Sequence, residues 1–436
     1  MKIAVVGAGI SGLVAAHRLS PFFDVDVYES ERTIGGHTHT VDVEVGGERR
    51  AVDMGFIVFN RSHYPRFAAL LDELGVASKP TSMSFGVRCD DTGLEYRGEA
   101  SRDGRGVDLD GLFAQRRNLG SPRFWRLLRG VLRFRRIARE ALELDDRGET
   151  VGEFVERRRL GSDFADRYLI PLGAALWSCP PSTFRSFPMR FVAEFLHQHS
   201  MLEIGQRPVW RVVDGGSRGY LEPLSRRFSS RIRRGRAVRR IRRAPGEVWV
   251  ETQDGAVERY DHVVLGVHAD TALRMLDAPR AIERSTLAAF PYQRNVAILH
   301  TDASVLPDSR RAWASWNCRV GGCRTGAATI TYLMNRLQGF DSPTSFCVTL
   351  NDDSRIDPRL IIERWPVEHP LYTPNRTAAQ SCRSSMIDLD GISYCGAYWG
   401  YGFHEDGVRS AHEVADRLIS KSGKEAVCAA ASSKVE

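Results

Sequence analysis

The sequence predicts an α/β fold whose centre is a Rossmann-like domain with a parallel sheet. Three observations predict it. A short apolar run ends at Val6, which is typical of a strand buried on both faces. A glycine-rich turn and a helix pattern follow at once, and a second strand, Val25 to Tyr28, leads to Glu29. A later buried run, residues 262–267, supplies a further strand of the same kind.

The turn after the first strand has the spacing of a dinucleotide-binding loop. Gly7 permits a sharp exit from the strand, Gly9 leaves the backbone open to a pyrophosphate, and Gly12 lets helix and strand pack closely. The helix predicted over Leu13 to Leu19 presents N–H groups and a partial positive charge to phosphates at its N-terminus. Glu29 ends the second strand, where a carboxylate meets an adenosine ribose hydroxyl. A glycine-rich turn without a ligand is the alternative, which this order of strand, glycines, helix, strand and acid disfavours.

A second glycine pair, Gly35-Gly36, comes soon after the second strand and is followed by His37 and Thr38. It permits another close approach of backbone to the same dinucleotide. This order resembles the flavin amine oxidase superfamily, in which a glycine pair follows the acidic residue and the cofactor is FAD. Members usually have arginine after the pair, and an imidazole is a weaker phosphate partner than a guanidinium. The resemblance implies FAD, which we expect to be held non-covalently.

The resemblance also implies a fold: a GR2-type FAD-binding domain with an inserted, amine-oxidase-like α+β substrate domain. It implies further contacts to FAD in three places. Gly55-Phe56 would pass beside the isoalloxazine ring, and Val238 would lie against the adenine through its backbone. A closing segment that includes Gly396 and Gly407-Val408 would aim a helix N-terminus at the pyrimidine edge of the flavin.

The domains are expected to alternate along the chain. The FAD-binding domain would comprise residues 1–72, 208–290 and 385–420, and the substrate domain would comprise a mostly helical part, 73–207, and an antiparallel sheet, 291–384, before a disordered tail, 421–436. The Gly-, Asp- and Arg-rich stretch 90–121 predicts loop. Pro122 to Leu144 predicts a long amphipathic helix, and Asp406 is the expected N-cap of the last helix.

Composition excludes several classes of protein. The chain of 436 residues has a net charge of +7 and is 42% hydrophobic, which is ordinary for a soluble globular protein of two to three domains. No nucleic-acid motif accompanies the basic charge, so we exclude nucleic acid as a partner. Eight cysteines without a CxxC pair predict reduced thiols and a cytoplasmic location. His197 and His199 lack acidic or cysteine neighbours at ligand spacing, so no metal site is expected.

The helix over residues 122–144 leaves two interpretations open. Arg126, Arg129, Arg133 and Arg136 lie away from its apolar face. Such a helix can lie on an anionic membrane, where each basic residue contributes about 1 kcal/mol. It can equally be a substrate-domain helix with a solvated basic face. The pattern favours the second interpretation, and peripheral association with the inner membrane face is the alternative.

A closer resemblance covers nearly the whole chain. The segments that carry it are residues 36–38, 53–60, 112–115, 215–218 and 396–407. They resemble a bacterial group of NAD/FAD-binding proteins that is similar to the N-terminal oxidase-like domain of plant cyclopropane fatty acid synthases. Members of the bacterial group commonly lie beside cyclopropane or methyl fatty acid synthase genes. The resemblance implies an acyl-lipid substrate and a functional link to such a synthase.

One absence helps to choose between reactions. Typical amine oxidases of the superfamily use a lysine to position a water at flavin N5, and no lysine occurs between Lys79 and Lys421. We therefore expect an FAD-dependent oxidoreductase that oxidises or desaturates a fatty acyl chain or lipid by hydride transfer to N5. A fatty acid double-bond isomerase, an amine oxidase and a protein that binds FAD only structurally are the alternatives. The candidate catalytic residues are His404, because imidazole titrates near neutrality, and Tyr398, which would wall the flavin face.

Overall fold

The computed structural model describes residues 1–99, 106–143, 148–177, 179–202, 208–321, 329–373 and 375–423. In chain order its strands are β1 (Lys2–Val6), β2 (Asp24–Tyr28), β3 (Thr40–Val45), β4 (Glu48–Asp53), β5 (Val58–Asn60), β6 (Ser78–Pro80), β7 (Phe85–Cys89), β8 (Leu94–Gly98), β9 (Trp210–Val213), β10 (Ile232–Arg233), β11 (Val238–Ala244), β12 (Glu247–Thr252), β13 (Val257–Tyr260), β14 (His262–Leu265), β15 (Tyr292–His300), β16 (Trp316–Val320), β17 (Thr329–Leu333), β18 (Cys347–Leu350), β19 (Ile361–Pro370) and β20 (Ile392–Tyr394). Its helices are α1 (Ile10–Leu19), α2 (Pro65–Glu73), α3 (Leu109–Leu112), α4 (Pro122–Glu143), α5 (Val151–Arg157), α6 (Ser162–Phe164), α7 (Ile170–Trp177), α8 (Pro181–Arg185), α9 (Met189–Gln198), α10 (Leu221–Ser225), α11 (Ala269–Met275), α12 (Ala281–Leu287), α13 (Met334–Leu337), α14 (Arg376–Ser381) and α15 (His404–Lys421).

The central sheet is parallel, with the strand order β10-β2-β1-β14-β20. In its middle, Val5 of β1 lies between Val27 of β2 and Val264 of β14, and all three side chains are fully buried. Burying such a side chain stabilises a fold by about 1.5–3 kcal/mol, which is why the apolar runs of the sequence form this sheet. The predicted α/β fold with a central parallel sheet is confirmed.

Helices and a second sheet cover the two faces of the parallel sheet. On one face α1 packs against α15, and on the other lies the antiparallel sheet β11-β12-β13. The strands of the parallel sheet come from residues 2–28, 232–265 and 392–394. Their carboxyl ends therefore meet at one edge, together with the N-termini of α1 and α15.

A seven-stranded sheet with the order β19-β15-β18-β17-β16-β7-β8 lies opposite this edge. Its neighbours are antiparallel except for β16 and β7, which run parallel. The prediction of loop over residues 90–121 was wrong for β8 and for the short helix α3. Tyr96 explains the strand, because it lies opposite Val87 of β7, is 3% exposed, and donates a hydrogen bond from its hydroxyl to the Arg167 carbonyl at 2.7 Å. The partner strand, rather than the local composition, fixes this segment as β structure.

Helices α4 to α9 follow within residues 122–198, and the segment 73–207 also contains the strands β6, β7 and β8. The long amphipathic helix is confirmed as α4, whose Phe124, Leu127 and Phe134 are buried. Trp177 packs among phenylalanines, with ring centroids 5.0 Å from Phe195. No helix of the described residues combines the length and the apolar composition needed to cross a bilayer.

The last helix differs from its prediction at both ends. It begins at His404, so the prediction of Asp406 as N-cap was wrong. Asp406 instead lies inside the first turn, and its Oδ2 accepts hydrogen bonds from the backbone N–H of Tyr401 at 2.8 Å and of Phe403 at 3.2 Å. This carboxylate thereby fixes the loop before the helix. The helix extends to Lys421, and residues 424–436 of the predicted tail lie outside the described residues.

Candidate functional site

A cavity of about 1530 Å³ lies at the carboxyl ends of the parallel strands. Its wall includes Val6 after β1, Glu29 after β2, Gly266 after β14 and Gly396 after β20. Ligands of open parallel sheets bind at this edge. Typical small-molecule pockets measure about 300–1,000 Å³, so this cavity has room for a dinucleotide and a second molecule.

The three glycines of the first turn have three different surroundings. Gly7 has a φ of +95°, which favours glycine. A Cβ on Gly12 would lie 1.9 Å from the Gly7 carbonyl oxygen, so helix and strand touch through backbone. A Cβ on Gly9 would meet no described atom closer than the Gly36 Cα at 4.0 Å. The space at Gly9 belongs to the cavity, which makes this the point of closest approach for a ligand.

Glu29 is fixed beside this turn by hydrogen bonds. Its Oε2 accepts from the Ala8 N–H at 2.8 Å, and its Oε1 accepts from the Glu31 N–H at 3.0 Å. The backbone N–H of Arg236 donates to the Glu29 carbonyl at 2.8 Å, which brings Val238 to the same part of the wall. We call the wall formed by residues 7–12, 29–30 and 236–238 the nucleotide end of the cavity. Its donors, carboxylate and apolar Val238 suit a pyrophosphate, a ribose and an adenine.

The second glycine pair lies against the first turn. The Gly35 N–H donates to the Ala8 carbonyl at 2.8 Å, and a Cβ on Gly36 would lie 3.1 Å from the Gly9 Cα. Gly55 continues the contact, because a Cβ there would lie 2.0 Å from the His37 carbonyl oxygen. Three glycine-rich segments thus form a continuous backbone surface along the cavity.

His37 occupies the position where the resembled superfamily has arginine, and it carries no charge. Its Nε2 lies 2.9 Å from the Glu368 carbonyl oxygen, and its ring centroid lies 5.6 Å from those of His268 and His369. Burial lowers the pKa of His37 to about 3 and that of His369 to about 4, and it also lowers the pKa of His268. All three line the cavity. The chain therefore offers neutral imidazoles here rather than a fixed cation.

His404 lies at the start of α15 in a tight buried cluster. Its Nε2 is 3.2 Å from the Thr38 Oγ1 and 3.1 Å from the Tyr220 hydroxyl, and these two hydroxyls are also hydrogen-bonded to each other. Its ring stacks on Phe56 with centroids 3.5 Å apart. Burial holds the pKa of His404 well below its ordinary value. The sequence suggested His404 because a free imidazole titrates near neutrality, and this reason does not hold for the buried ring. A catalytic role of the neutral imidazole stays a prediction.

Tyr398 lines the cavity from the loop between β20 and α15. It is 2% exposed, and its ring centroid lies 5.1 Å from that of Phe290 and 5.0 Å from that of Trp399. Its hydroxyl has no hydrogen-bond partner among the described residues. Burial raises the pKa of Tyr398 well above 10, so the hydroxyl stays protonated. Its proposed catalytic part also stays a prediction.

Most of the predicted cofactor residues line the cavity, and four lie behind its wall. The residues on the wall are Gly7, Gly9, Ser11, Glu29, Gly35, Gly36, His37, Gly55, Phe56, Val238 and Gly396. Gly12 and Thr38 support the wall through the contacts given above. Gly407 brings α15 against α1, since a Cβ there would lie 2.7 Å from the Ser11 Oγ, and Val408 is buried in the same core.

Asp53 was not singled out by the sequence, although it joins three segments of the chain behind the cavity wall. Its Oδ1 accepts from the Thr40 hydroxyl at 2.6 Å and from the Ser217 N–H at 2.9 Å, and its Oδ2 accepts from the Gln338 Nε2 at 3.1 Å. Burial raises its pKa to about 6. In the sequence, the turn Gly215-Gly216-Ser217 was the one feature that pointed to this contact. The turn does not indicate which acidic residue its N–H groups bind.

Beyond the flavin-side residues the cavity continues between α4, α7 and α9. We call this part the substrate arm. Its wall is formed by Leu112, Leu127, Leu128, Val131, Tyr168, Leu172, Leu176, Trp177 and Phe195. From sequence, the aromatic residues of this segment fit either an apolar cavity or a core, and core is favoured. In the structure, Trp177 and Phe195 belong to the core and also line the cavity.

The residues present fit FAD. The open space at Gly9, the glycine-rich surface and the N-termini of α1 and α15, which begin at Ile10 and His404 on the wall, would hold its phosphates and ring system. The buried, unpartnered hydroxyl of Tyr398 is a polar atom that such a ligand could satisfy.

Comparison with known proteins identifies relatives of this chain. The family model described as "Flavin containing amine oxidoreductase" matches residues 10–311. The putative flavin-containing monoamine oxidase AofH of Mycobacterium tuberculosis is 28% identical over 272 residues, which cover 59% of this chain and 55% of that protein. Tryptophan 2-monooxygenase of Allorhizobium ampelinum is 38% identical over 101 residues, which cover 23% of this chain and 13% of that protein. The chain thus spans about half the length of AofH and less of the monooxygenase.

Solved structures share the fold over almost the whole chain. Cyclohexylamine oxidase from Brevibacterium oxydans aligns with a TM-score of 0.67 and 15% identity, covering 96% of this chain and 99% of the other. A fatty acid isomerase from P. acnes that produces CLA aligns with a TM-score of 0.63 and 16% identity, covering 96% and 98%. At this identity the likeness extends to the fold alone.

Proposed function

Because the chain belongs to the flavin-containing amine oxidoreductase family, and is therefore an FAD-dependent oxidoreductase, we propose that it oxidises or desaturates a fatty acyl chain or lipid. The observation that carries the proposal is the apolar wall of the substrate arm. Aliphatic and aromatic side chains, such as Leu128, Leu172 and Trp177, form it over its length. An extended hydrocarbon chain gains about 0.8 kcal/mol for each CH₂ group that it buries there.

The charges of the cavity disfavour a cationic substrate. Two carboxylates line its substrate side, and both are already engaged. Glu99 pairs with Arg97 at 3.0 Å and with Arg336 at 2.8 Å. Glu368 lies 3.4 Å from both His268 and Arg294. Both carboxylates therefore already have partners, and Glu99, which lies between two arginines, gains least from an ammonium group.

The lysine that typical amine oxidases use has no counterpart between Lys79 and Lys421. Together with the engaged carboxylates, this supports acyl oxidation over amine oxidation. The shared fold of a CLA-producing fatty acid isomerase, at 16% identity, is compatible with an acyl substrate and does not choose between reactions.

In this proposal the chain positions the substrate and shields it from water. When bound, FAD supplies the hydride acceptor at its N5 atom. The apolar arm excludes water around the reacting carbon and holds the chain extended. His404, kept neutral by burial and fixed by Thr38 and Tyr220, contributes an oriented dipole at the wall rather than a charge.

Anaerobic mixing of the purified flavoprotein with a bacterial lipid extract tests the proposal. We expect the flavin absorbance to bleach, and mass spectrometry to find a lipid that has lost two hydrogens. Bleaching by primary amines without bleaching by any lipid would identify an amine oxidase instead. A product with the mass of the substrate and no lasting bleaching of the flavin would identify the isomerase.

A second proposal concerns location: a cytoplasmic protein that touches the inner membrane face. Leu132 and Val209, which are 55% and 64% exposed, lie where the arm opens, beside the exposed Arg129 and Arg133 of α4. Exposed apolar side chains next to basic ones suit an anionic lipid surface. Cosedimentation with vesicles that contain phosphatidylglycerol, lost with neutral vesicles or in Leu132→Asp, is the expected result. Equal behaviour of wild type and variant would contradict it. A functional link to a cyclopropane or methyl fatty acid synthase stays a prediction.

A further inference from the structure

We propose that Arg135 binds the carboxylate of a free fatty acid at the mouth of the substrate arm, with the acyl chain extending inward. The inference rests on the proposed function and adds the head group of the substrate to it. It defines a binding site on the wall of the substrate arm, formed by other residues than those of the nucleotide end.

The mouth of the arm is identified by large apolar side chains that line the cavity and also reach solvent. Val107, Leu132 and Val209 do both, with exposed fractions of 37%, 55% and 64%. They come from three separate segments of the chain, and Arg135 lies one turn after Leu132 on α4. Among the described residues of the wall, the opening is therefore an apolar rim next to one arginine, Arg135.

Arg135 differs from the other charged residues on the wall because it has no partner. Among the residues that the structure describes, its guanidinium makes no hydrogen bond and no ion pair, and its Nε is buried. By contrast, Arg236 is paired with Asp254, Glu99 with two arginines, and Glu29 with backbone N–H groups. A buried donor without an acceptor costs about 1–3 kcal/mol. A ligand anion at the mouth would remove this cost.

The chemistry of the ligand follows from what lies on either side of Arg135. A guanidinium binds a carboxylate through two parallel hydrogen bonds. Inward from it, Val131 and Leu128 of α4 line the arm, and the seven residues from Arg135 to Leu128 span about 10 Å of helix. An anion followed by a long apolar wall matches a fatty acid, in which one carboxylate ends one hydrocarbon chain. An amine would place its cation beside Arg135.

Binding of oleate and of methyl oleate to the FAD-loaded protein tests the assignment, with perturbation of the flavin spectrum as the readout and both ligands below micelle formation. We expect Arg135→Gln to weaken oleate binding by about 10- to 100-fold and to leave methyl oleate binding unchanged. Arg135→Lys keeps the charge and should restore part of the oleate affinity. Arg136→Gln is the matched control, since Arg136 is exposed and paired with Glu140, and it should bind both ligands as wild type does. Melting temperature and FAD content verify that each variant folds.

The outcomes separate this inference from the proposed function. If methyl oleate binds and Arg135→Gln leaves oleate affinity unchanged, the carboxylate site is wrong and the acyl substrate stands. The same holds if Arg135→Gln weakens both ligands equally. If neither ligand perturbs the flavin of the wild type, the acyl substrate and the carboxylate site both fall.

Discussion

At the nucleotide end of the cavity the wall is backbone, whereas along the substrate arm it is side chain. The nucleotide end depends on glycines: at Gly12 the missing Cβ lets helix and strand touch, and at Gly9 it leaves the backbone open to the cavity. The substrate arm depends on residues of α4, α7 and α9 that are far apart in the chain, such as Leu128 and Trp177. A wall of backbone cannot be altered by ordinary substitutions, so the nucleotide end is restricted to one class of ligand. A wall of side chains can be altered, so substitutions in the substrate arm can change which ligand it accepts.

The largest effect is expected for Gly12→Val, because it places side-chain atoms where the backbone of the strand already lies. The new Cβ would sit 1.9 Å from the Gly7 carbonyl oxygen. We expect a loss of stability of about 4–5 kcal/mol or more, so that little folded protein is recovered. Circular dichroism and yield of the purified protein measure it. A variant that melts like the wild type would show that this contact is not rigid.

The next effect is expected for Gly9→Val, which fills the cavity without touching the fold. Its Cβ points into open space, so we expect the melting temperature of the apoprotein to stay within a few degrees of wild type. FAD affinity should fall at least about a thousandfold, or about 4 kcal/mol, because the side chain occupies the phosphate position. Fluorescence titration with FAD measures it. Retention of yellow colour at wild-type stoichiometry would contradict the assignment of the nucleotide end.

Asp53 joins three segments of the chain behind the cavity wall, and its titration should be visible in the free energy of unfolding. Its pKa is raised from 3.8 to about 6 in the folded protein, so the folded state holds this proton more tightly than the unfolded chain. The contribution of this carboxyl to the free energy of unfolding is then greatest below about pH 4 and falls as pH rises towards about 6, by about 3 kcal/mol at about 1.36 kcal/mol per pH unit.

Asp53→Asn should remove this pH dependence while adding a constant loss of about 1 kcal/mol for one hydrogen bond that an amide cannot make. Urea unfolding of wild type and variant between about pH 4 and pH 7 measures the difference. Parallel stability curves for the two proteins would show that Asp53 is already ionised throughout this range.

A smaller effect is expected for Leu128→Glu, which puts a charge into the wall of the arm. Turnover of an acyl substrate should fall at least about tenfold, or about 1.4 kcal/mol, because the carboxylate must be desolvated against hydrocarbon. FAD content should not change. Arg136→Glu introduces the same residue on the exposed side of α4 and serves as control. An equal loss of turnover in both variants would show that the effect does not depend on the wall of the arm.

The smallest effect concerns His404, for which we predict that no change is seen. Burial keeps its pKa well below the ordinary value of 6.5, so the imidazole stays neutral at and above neutral pH, and any protonation step lies on the acid side. We therefore expect the pH profile of kcat for the wild type to show no step near pH 6.5 that depends on His404. The profile of His404→Asn should have the same shape in this range. A step of that kind would mean that the imidazole titrates during turnover.

Sequence reasoning reached the nucleotide end because its determinants are local. A glycine at a fixed distance from a strand, as at Gly7, Gly9 and Gly12, has one structural meaning in this context. The parallel sheet followed from the same segments. Residues whose role depends on distant partners were missed: Asp53 acts through Ser217 and Gln338, and β8 exists because β7 lies beside it. Arg135 is distinguished only by a missing partner, which a sequence alone does not reveal.

Two ligands that differ only in their head group test the central claim most directly. The purified flavoprotein is mixed anaerobically with oleate or with oleylamine, and the flavin absorbance is followed. We predict that oleate bleaches the flavin and that oleylamine does not, since the arm accepts both chains and its mouth carries a cation. Bleaching by oleylamine alone would contradict this prediction and would indicate that the protein oxidises amines.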